Sequence, residues 1–116
     1  MATYSKIPLS QSVNGKSIQL SLSAIPGVLL HTAVNTLTGA DEIWLYASNN
    51  STADNITTLS WGSTATNDLV SQVMVQAYAG LTLLVPGLIL NNGASVYAYT
   101  STPSAVNIMG YVNRIS

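Results

Sequence analysis

Charge is what this chain has least of. Seven of its 116 residues carry one (Lys6, Lys16, Asp41, Glu42, Asp54, Asp68 and Arg114), or 6%, where soluble domains average about 25%. A folded chain of 12.1 kDa exposes roughly 6,000 Å². Each formal charge then serves about 850 Å², close to what one partner gives a standard interface. Charge-free patches of interface size are hard to avoid, and little repulsion keeps copies apart. This points to a part covered by neighbours rather than an enzyme working alone. Cysteine is absent, which excludes a disulfide framework, a thiolate metal site and a cysteine nucleophile. Three basic residues at net charge −1 neutralise too few phosphates for nucleic-acid binding. Long apolar runs are missing too. The longest, Leu81 to Leu90, is interrupted by Pro86-Gly87 and is about half of the twenty residues a membrane-spanning helix needs. No apolar run follows Met1-Ala2-Thr3-Tyr4-Ser5-Lys6, so synthesis in the cytoplasm without a cleaved secretory signal is expected.

What is present is apolar and β-compatible. Hydrophobic residues make up 47%, and Ser, Thr and Asn supply most of the remainder, a composition that argues against disorder. The dominant period is two. Ile18, Leu20 and Leu22 alternate with Ser17, Gln19, Ser21 and Ser23. Further strands are expected at Val28–Val34, Glu42–Ser48, Asn55–Trp61, Ser71–Tyr78, Leu81–Val85, Ser95–Thr100 and Val106–Arg114. Turn signals separate them at Ile25-Pro26-Gly27, Gly39-Ala40-Asp41, Ala79-Gly80, Pro86-Gly87, Asn91-Asn92-Gly93 and Thr102-Pro103-Ser104. Eight antiparallel strands about twelve residues apart predict an all-β fold, a single β-sandwich or jelly roll spanning 15–116. The helical rival is Asn67 to Ala79, where Asn67 or Asp68 could cap, but β-branched Val70, Val73 and Val75 favour a strand beyond Ser71. Residues 1–14 carry Tyr4, Ile7, Leu9 and Val13 with little pattern. They read either as a terminus packed on the sandwich or, the expectation taken here, as an extended N-terminal arm lying on a neighbouring subunit. No internal repeat and no second domain are evident.

The catalytic inventory is thin. His31 is the sole histidine, and no neighbour in sequence supplies a carboxylate or nucleophile, so a structural or interfacial role is expected. Asp41 and Glu42 are adjacent and point to opposite faces of a strand, so they do not act as a pair. Pairing with Asp54 or Asp68 across the fold stays open, although Asp41, Asp54 and Asp68 all fall in predicted turns, where aspartate serves the backbone. No phosphate loop, nucleotide fingerprint, metal-spaced His/Cys pattern or nucleophile elbow occurs, and no cofactor or metal is expected. Sequons begin at Asn49, Asn50 and Asn55, as chance predicts in a chain this rich in Asn, Ser and Thr.

The second face of the strands is more informative. Ile43, Leu45 and Ala47 oppose Trp44 and Tyr46. Val73, Val75 and Ala77 oppose Met74 and Tyr78; Val96 and Ala98 oppose Tyr97 and Tyr99; Ile108, Gly110 and Val112 oppose Met109 and Tyr111. A sheet with one wet face should be polar there. This one is aromatic and Met-rich, the composition of interface cores. The alternative is that the rings lie flat with their polar tips in water.

The block Glu42-Ile43-Trp44-Leu45-Tyr46-Ala47-Ser48-Asn49, with Leu59-Ser60-Trp61-Gly62, resembles small virion proteins of tailed bacteriophages. So does the stretch from Gly80-Leu81-Thr82-Leu83-Leu84-Val85-Pro86-Gly87 through Ser95-Val96-Tyr97-Ala98-Tyr99 to Gly110-Tyr111-Val112-Asn113-Arg114-Ile115. The resemblance covers residues 42 to 115 and is one of pattern and cadence. It implies a head-decoration (cement) protein, a small β-sandwich, often trimeric, bound outside the major capsid protein, with an N-terminal arm on the shell or a neighbouring copy. On that basis a non-enzymatic virion protein is expected, with itself and the major capsid protein as partners. The contact residues would be Trp44, Tyr46, Tyr97, Tyr99 and Tyr111, with Tyr4, Ile7 and Leu9 anchoring the arm. The alternative is a carbohydrate-binding module of a phage fibre or cell surface, stacking sugars on Trp and Tyr. An enzyme comes third.

Overall fold

In the computed structural model, residues 3–24, 26–63, 69–78 and 80–115 are described. Over them the chain is all-β: β1 (Tyr4–Pro8), β2 (Ile18–Gln19), β3 (Val28–Thr32), β4 (Ala40–Asn49), β5 (Asn55–Gly62), β6 (Leu69–Val75), β7 (Thr82–Leu90), β8 (Ser95–Thr100) and β9 (Val106–Ile115). The first sheet runs β1-β9-β4-β7, with the short β2 also on β9, and the second runs β3-β8-β5-β6. Every pairing is antiparallel.

The period-two pattern explains why the sheets face each other. Inward positions of β4 (Ile43, Leu45, Ala47) and β9 (Val106, Ile108, Val112) meet Leu30 of β3, Leu59 of β5, Val75 of β6 and Val96 and Ala98 of β8 in one buried apolar cluster. Each Val, Leu or Ile so buried contributes roughly 1.5–3 kcal/mol. The outward residues of β4 and β9 are half-buried on the far face, as the alternation requires.

The elements differ from expectation in several places, three of which shape the sheets. Pairing within 17–23 is confined to Ile18–Gln19, because Leu20 turns into the core and binds its backbone to Val106 and Ser104. Pro86-Gly87 was expected to break the chain, yet β7 runs through it. A proline is tolerated on an edge strand, and the register shifts between Ile43 and Trp44, so the dipeptide makes a bulge rather than a turn. Gly87 sits at φ 82°, and a Cβ there would come within 2.9 Å of Trp44 Cζ2. Finally, residues 4–8, expected in an arm, form a ninth strand on this chain's own β9, from Tyr4 opposite Ile115 to Pro8 opposite Tyr111. Leu9 behind them is only 1% exposed and joins the core. Scattered apolar anchors were enough to dock an edge strand without a period.

The stretch open to helix is strand over Leu69–Val75, ending short of the expected Tyr78, which lies in a turn at φ 56°; Asn67 and Asp68 lie outside the described residues. The Asn91-Asn92-Gly93 signal is a tight turn, with Asn92 at φ 54° and Gly93 at φ 73°. It closes through the Ala94 N–H to the Asn91 carbonyl at 3.2 Å. It carries the chain from β7 in the first sheet to β8 in the second.

Leu9→Ala separates a docked strand from a free arm. Truncating a core leucine costs about 2–5 kcal/mol, and chemical denaturation should show a loss in that range, whereas an arm residue off the sandwich would show almost none.

Candidate functional site

The buried polar centre of the molecule is assembled from four segments. β3 carries a bulge between Leu29 and His31, which lets the consecutive residues Leu30 and His31 both turn inward. Asp41 occupies the first fully buried inward position of β4. Arg114 lies directly opposite it on β9, and Ser10 follows β1. His31 Nδ1 accepts the Ser10 N–H at 2.9 Å. The ring's proton therefore sits on Nε2 and is donated to Asp41 Oδ2 at 2.7 Å. The same carboxylate accepts the Val34 N–H at 3.1 Å. It also takes a two-pronged grip from Arg114, Nε to Oδ1 at 2.8 Å and Nη2 to Oδ2 at 2.9 Å, the strong form of an ion pair.

The electrostatics follow from this geometry. Burial, reinforced by the Arg114 charge, outweighs Asp41 and holds the His31 pKa below its ordinary 6.5. Burial pushes the Asp41 carboxyl upward, but hydrogen bonds from Arg114 and His31 prevail and hold it below its ordinary 3.8. The hydrogen bond to Asp41 raises the Arg114 guanidinium. At neutral pH the knot is thus a neutral imidazole, a carboxylate and a guanidinium. Both ring nitrogens are engaged and His31 and Asp41 are fully buried, so the arrangement ties β3, β4, β9 and the segment after β1 together.

No neighbour in sequence supplies His31 with a carboxylate, and the turn signal at Gly39-Ala40-Asp41 predicts Asp41 in a turn. Asp41 is instead a buried strand residue and the partner of His31. The signal available was the alternation of β4, which extends back from Ile43 to Asp41. The Leu29–His31 bulge hid the other half, because a strict period of two cannot bury both Leu30 and His31.

On the outer face of the first sheet, Trp44 and Tyr111 stack with ring centroids 6.1 Å apart at 13°. Lys6 Nζ lies over the Tyr111 ring at 4.8 Å, and Gly87 backs onto the indole. Trp44 Nε1–H donates to Glu42 Oε1 at 2.7 Å, an oxygen that also accepts from Asn113 Nδ2 at 3.3 Å. Tyr46 stands between Met109 and Leu83. Tyr97 and Tyr99 project from the other sheet, across from Ser60 and Thr58. The expected contact residues therefore divide, with Trp44, Tyr46 and Tyr111 on one face and Tyr97 and Tyr99 on the opposite one. Of the arm anchors, Tyr4 is 74% exposed, Leu9 is in the core and Ile7 packs against that core. Tyr4, Ser5, Lys6, Glu42, Asn113 and Ile115 line a shallow cavity of about 320 Å³.

Asn49 and Asn55, where two sequons begin, are buried. Asn49 Nδ2 donates to the Ala53 and Val75 carbonyls and Asn55 Nδ2 to the Ala53 carbonyl, so both amides serve the fold. No protein-family model, curated protein or solved structure matches the chain.

Asp41→Asn should destabilise the protein by about 3 kcal/mol, the cost of removing one member of a buried pair, measured by urea denaturation. The pH dependence has two limbs. His31 has a lowered folded pKa, so the unfolded chain takes up the proton first and stability falls as pH drops below about 6.5. Asp41 has a depressed folded pKa, so its contribution is complete above about 3.8 and is lost as pH falls from there toward the folded value. The Asn variant should lose the lower limb.

Proposed function

We propose that this chain is a non-enzymatic structural protein of a tailed-bacteriophage virion. In this reading it is a head-decoration protein that self-associates, as a homotrimer, and binds the outside of the major capsid protein shell. The observation that carries the reading is strand β7. Among the described residues it pairs on one side only, with β4, and exposes Leu83 (46%), Leu88 (50%) and Ile89 (60%), preceded by Leu81 (61%). Edge strands are ordinarily defended by charge, proline or bulges. Here Pro86-Gly87 interrupts the middle, and residues 69–113 contain no charged side chain at all. Seven charges serve 6043 Å² of surface, and Asp41 and Arg114 neutralise one another. Such a surface favours lasting contact with copies and with a shell, where modest contacts sum over many symmetry-related positions.

The strand order supports a jelly roll as the finer description of the fold. With β1 and β2 sharing one position, β1/β2-β9-β4-β7 faces β3-β8-β5-β6, so successive strands cross repeatedly between the two sheets. Jelly rolls serve viral capsids and lectins alike, and fold alone does not choose between them. The aromatic row favours the capsid reading. Trp44 and Tyr111 turn their rings toward each other and toward Gly87 and Lys6, which leaves little open ring face for a sugar to stack on. A carbohydrate-binding module of a fibre or cell surface is therefore the second reading, supported by the cavity beside the exposed Tyr4.

The purified chain should sediment at three times its chain mass at micromolar concentration and co-sediment with empty shells of the major capsid protein from the same virion. Leu83→Lys with Ile89→Lys should yield a folded monomer with an unchanged circular dichroism spectrum. A wild-type monomer that ignores the shells would overturn the reading.

A further inference from the structure

Strand β1 is held differently from the other long strands. Four of its five residues are exposed, and only Ile7 is half-buried. Its attachment includes the pairing with β9, Leu9 in the core with Ile7 packed against it, Lys6 over the Tyr111 ring and a latch onto β3. In that latch the Ser10 N–H donates to His31 Nδ1 at 2.9 Å and the Thr32 N–H to Ser10 Oγ at 2.8 Å. The Gln11 N–H adds a bond to the Leu30 carbonyl at 3.3 Å. Beyond it lies a largely exposed connection, Gln11–Ser17, with a turn at Asn14-Gly15.

The first of these bonds forms only while Nδ1 is bare. A proton there would give the fully buried ring an N–H aimed at the Ser10 N–H, two donors with no acceptor between them, and an unmet donor on a buried ring is costly. The charged groups facing the ring are Asp41 from β4 and Arg114 from β9. The segment after β1 offers only a backbone N–H, and β8 sets Val96 opposite. Asp41 already accepts from His31 Nε2, Val34 and Arg114, so it cannot relieve the clash on the far side of the ring.

We propose that His31 is an acid-operated catch on β1. Its protonation frees residues 4–11 from the sandwich, and the vacated edge of β9, Tyr111–Ile115, accepts β1 of a second copy in the same register. The occupant is specified by the pairing itself. Tyr4–Pro8 already match this edge residue for residue, with Leu9 filling its own core position, and every copy presents the same segment. Exchange of an identical element needs no new complementary surface. It is a second route to self-association, at the opposite edge of the sheet from β7, and does not depend on the β7 reading.

The test uses the absence of cysteine. Lys6 and Asn113 are partners across β1 and β9. Lys6→Cys is placed in an isotope-labelled population and Asn113→Cys in an unlabelled one. Both carry Leu83→Lys and Ile89→Lys, so that contacts through β7 play no part. The two are mixed, held at pH 5.5, returned to pH 7.5 and mildly oxidised. Once unlatched, the ring loses part of its burial and titrates closer to its ordinary 6.5, so the opening equilibrium should rise by up to about tenfold between pH 7.5 and 5.5. Mixed-label disulfide dimers should form faster by that factor than in a mixture kept at pH 7.5. Amide exchange at residues 4–11 should accelerate by the same factor while β4 stays protected. Equal cross-linking at both pH values would overturn the proposal, as would a yield no higher than that of a Lys16→Cys control. Loss of protection in all strands together would overturn it as well. Sedimentation of the wild-type chain scores the β7 reading separately.

Discussion

Everything else in this molecule is arranged around one buried carboxylate. Asp41 lies between the two sheets, on β4 of the first, and receives a bond from His31 on β3 of the second. Arg114 reaches it from β9 and the Val34 N–H from the connection that leads back to β4. A buried ion is expensive unless its hydrogen-bonding capacity is filled; here it is filled by donors from both sheets. The constraint propagates. Only one tautomer of His31 serves Asp41, that tautomer leaves Nδ1 as an acceptor, and the acceptor docks Ser10 and with it the first strand. The Asn92-Gly93 turn holds the other side of the same region, through bonds to the Thr36 and Val34 carbonyls and from Asn91 to Gly39.

That arrangement removes charge from a surface that had little to begin with. Asp41 and Arg114 cancel, Glu42 is tied to Trp44 and Asn113, and Asp54 accepts the Ala77 N–H. Lys6 lies over Tyr111. These five charged groups thus serve the fold, and the outer faces are left mostly to aromatic, aliphatic and hydroxyl side chains. Association through such faces depends on shape and burial, with little electrostatic repulsion to oppose it.

Much of the fold was legible in the sequence because the apolar pattern has a period of two over long stretches. Residues 95–100 form the strand expected of them, and β4, β5 and β9 extend their expected spans by a residue or two. Most of the misreadings occur where that period fails. Pro86-Gly87 reads as a break, but an edge strand can absorb it as a bulge. Tyr4–Pro8 has no alternation, because an edge strand with one half-buried residue needs none. The polar centre was the least legible part. His31, Asp41 and Arg114 are far apart in sequence, and a bulge that turns two successive residues inward leaves no periodic trace. The outward Trp44, Tyr46, Tyr97, Tyr99 and Tyr111 were readable as outer-face residues. Their division between opposite faces was not, since strand order within the sheets is a tertiary fact.

The protonation state of His31 tests the central constraint most directly. A long-range ¹H–¹⁵N correlation spectrum of the imidazole at pH 7 should show a neutral ring with its proton on Nε2 and a bare Nδ1. A proton on Nδ1, or a doubly protonated ring at that pH, would contradict the account.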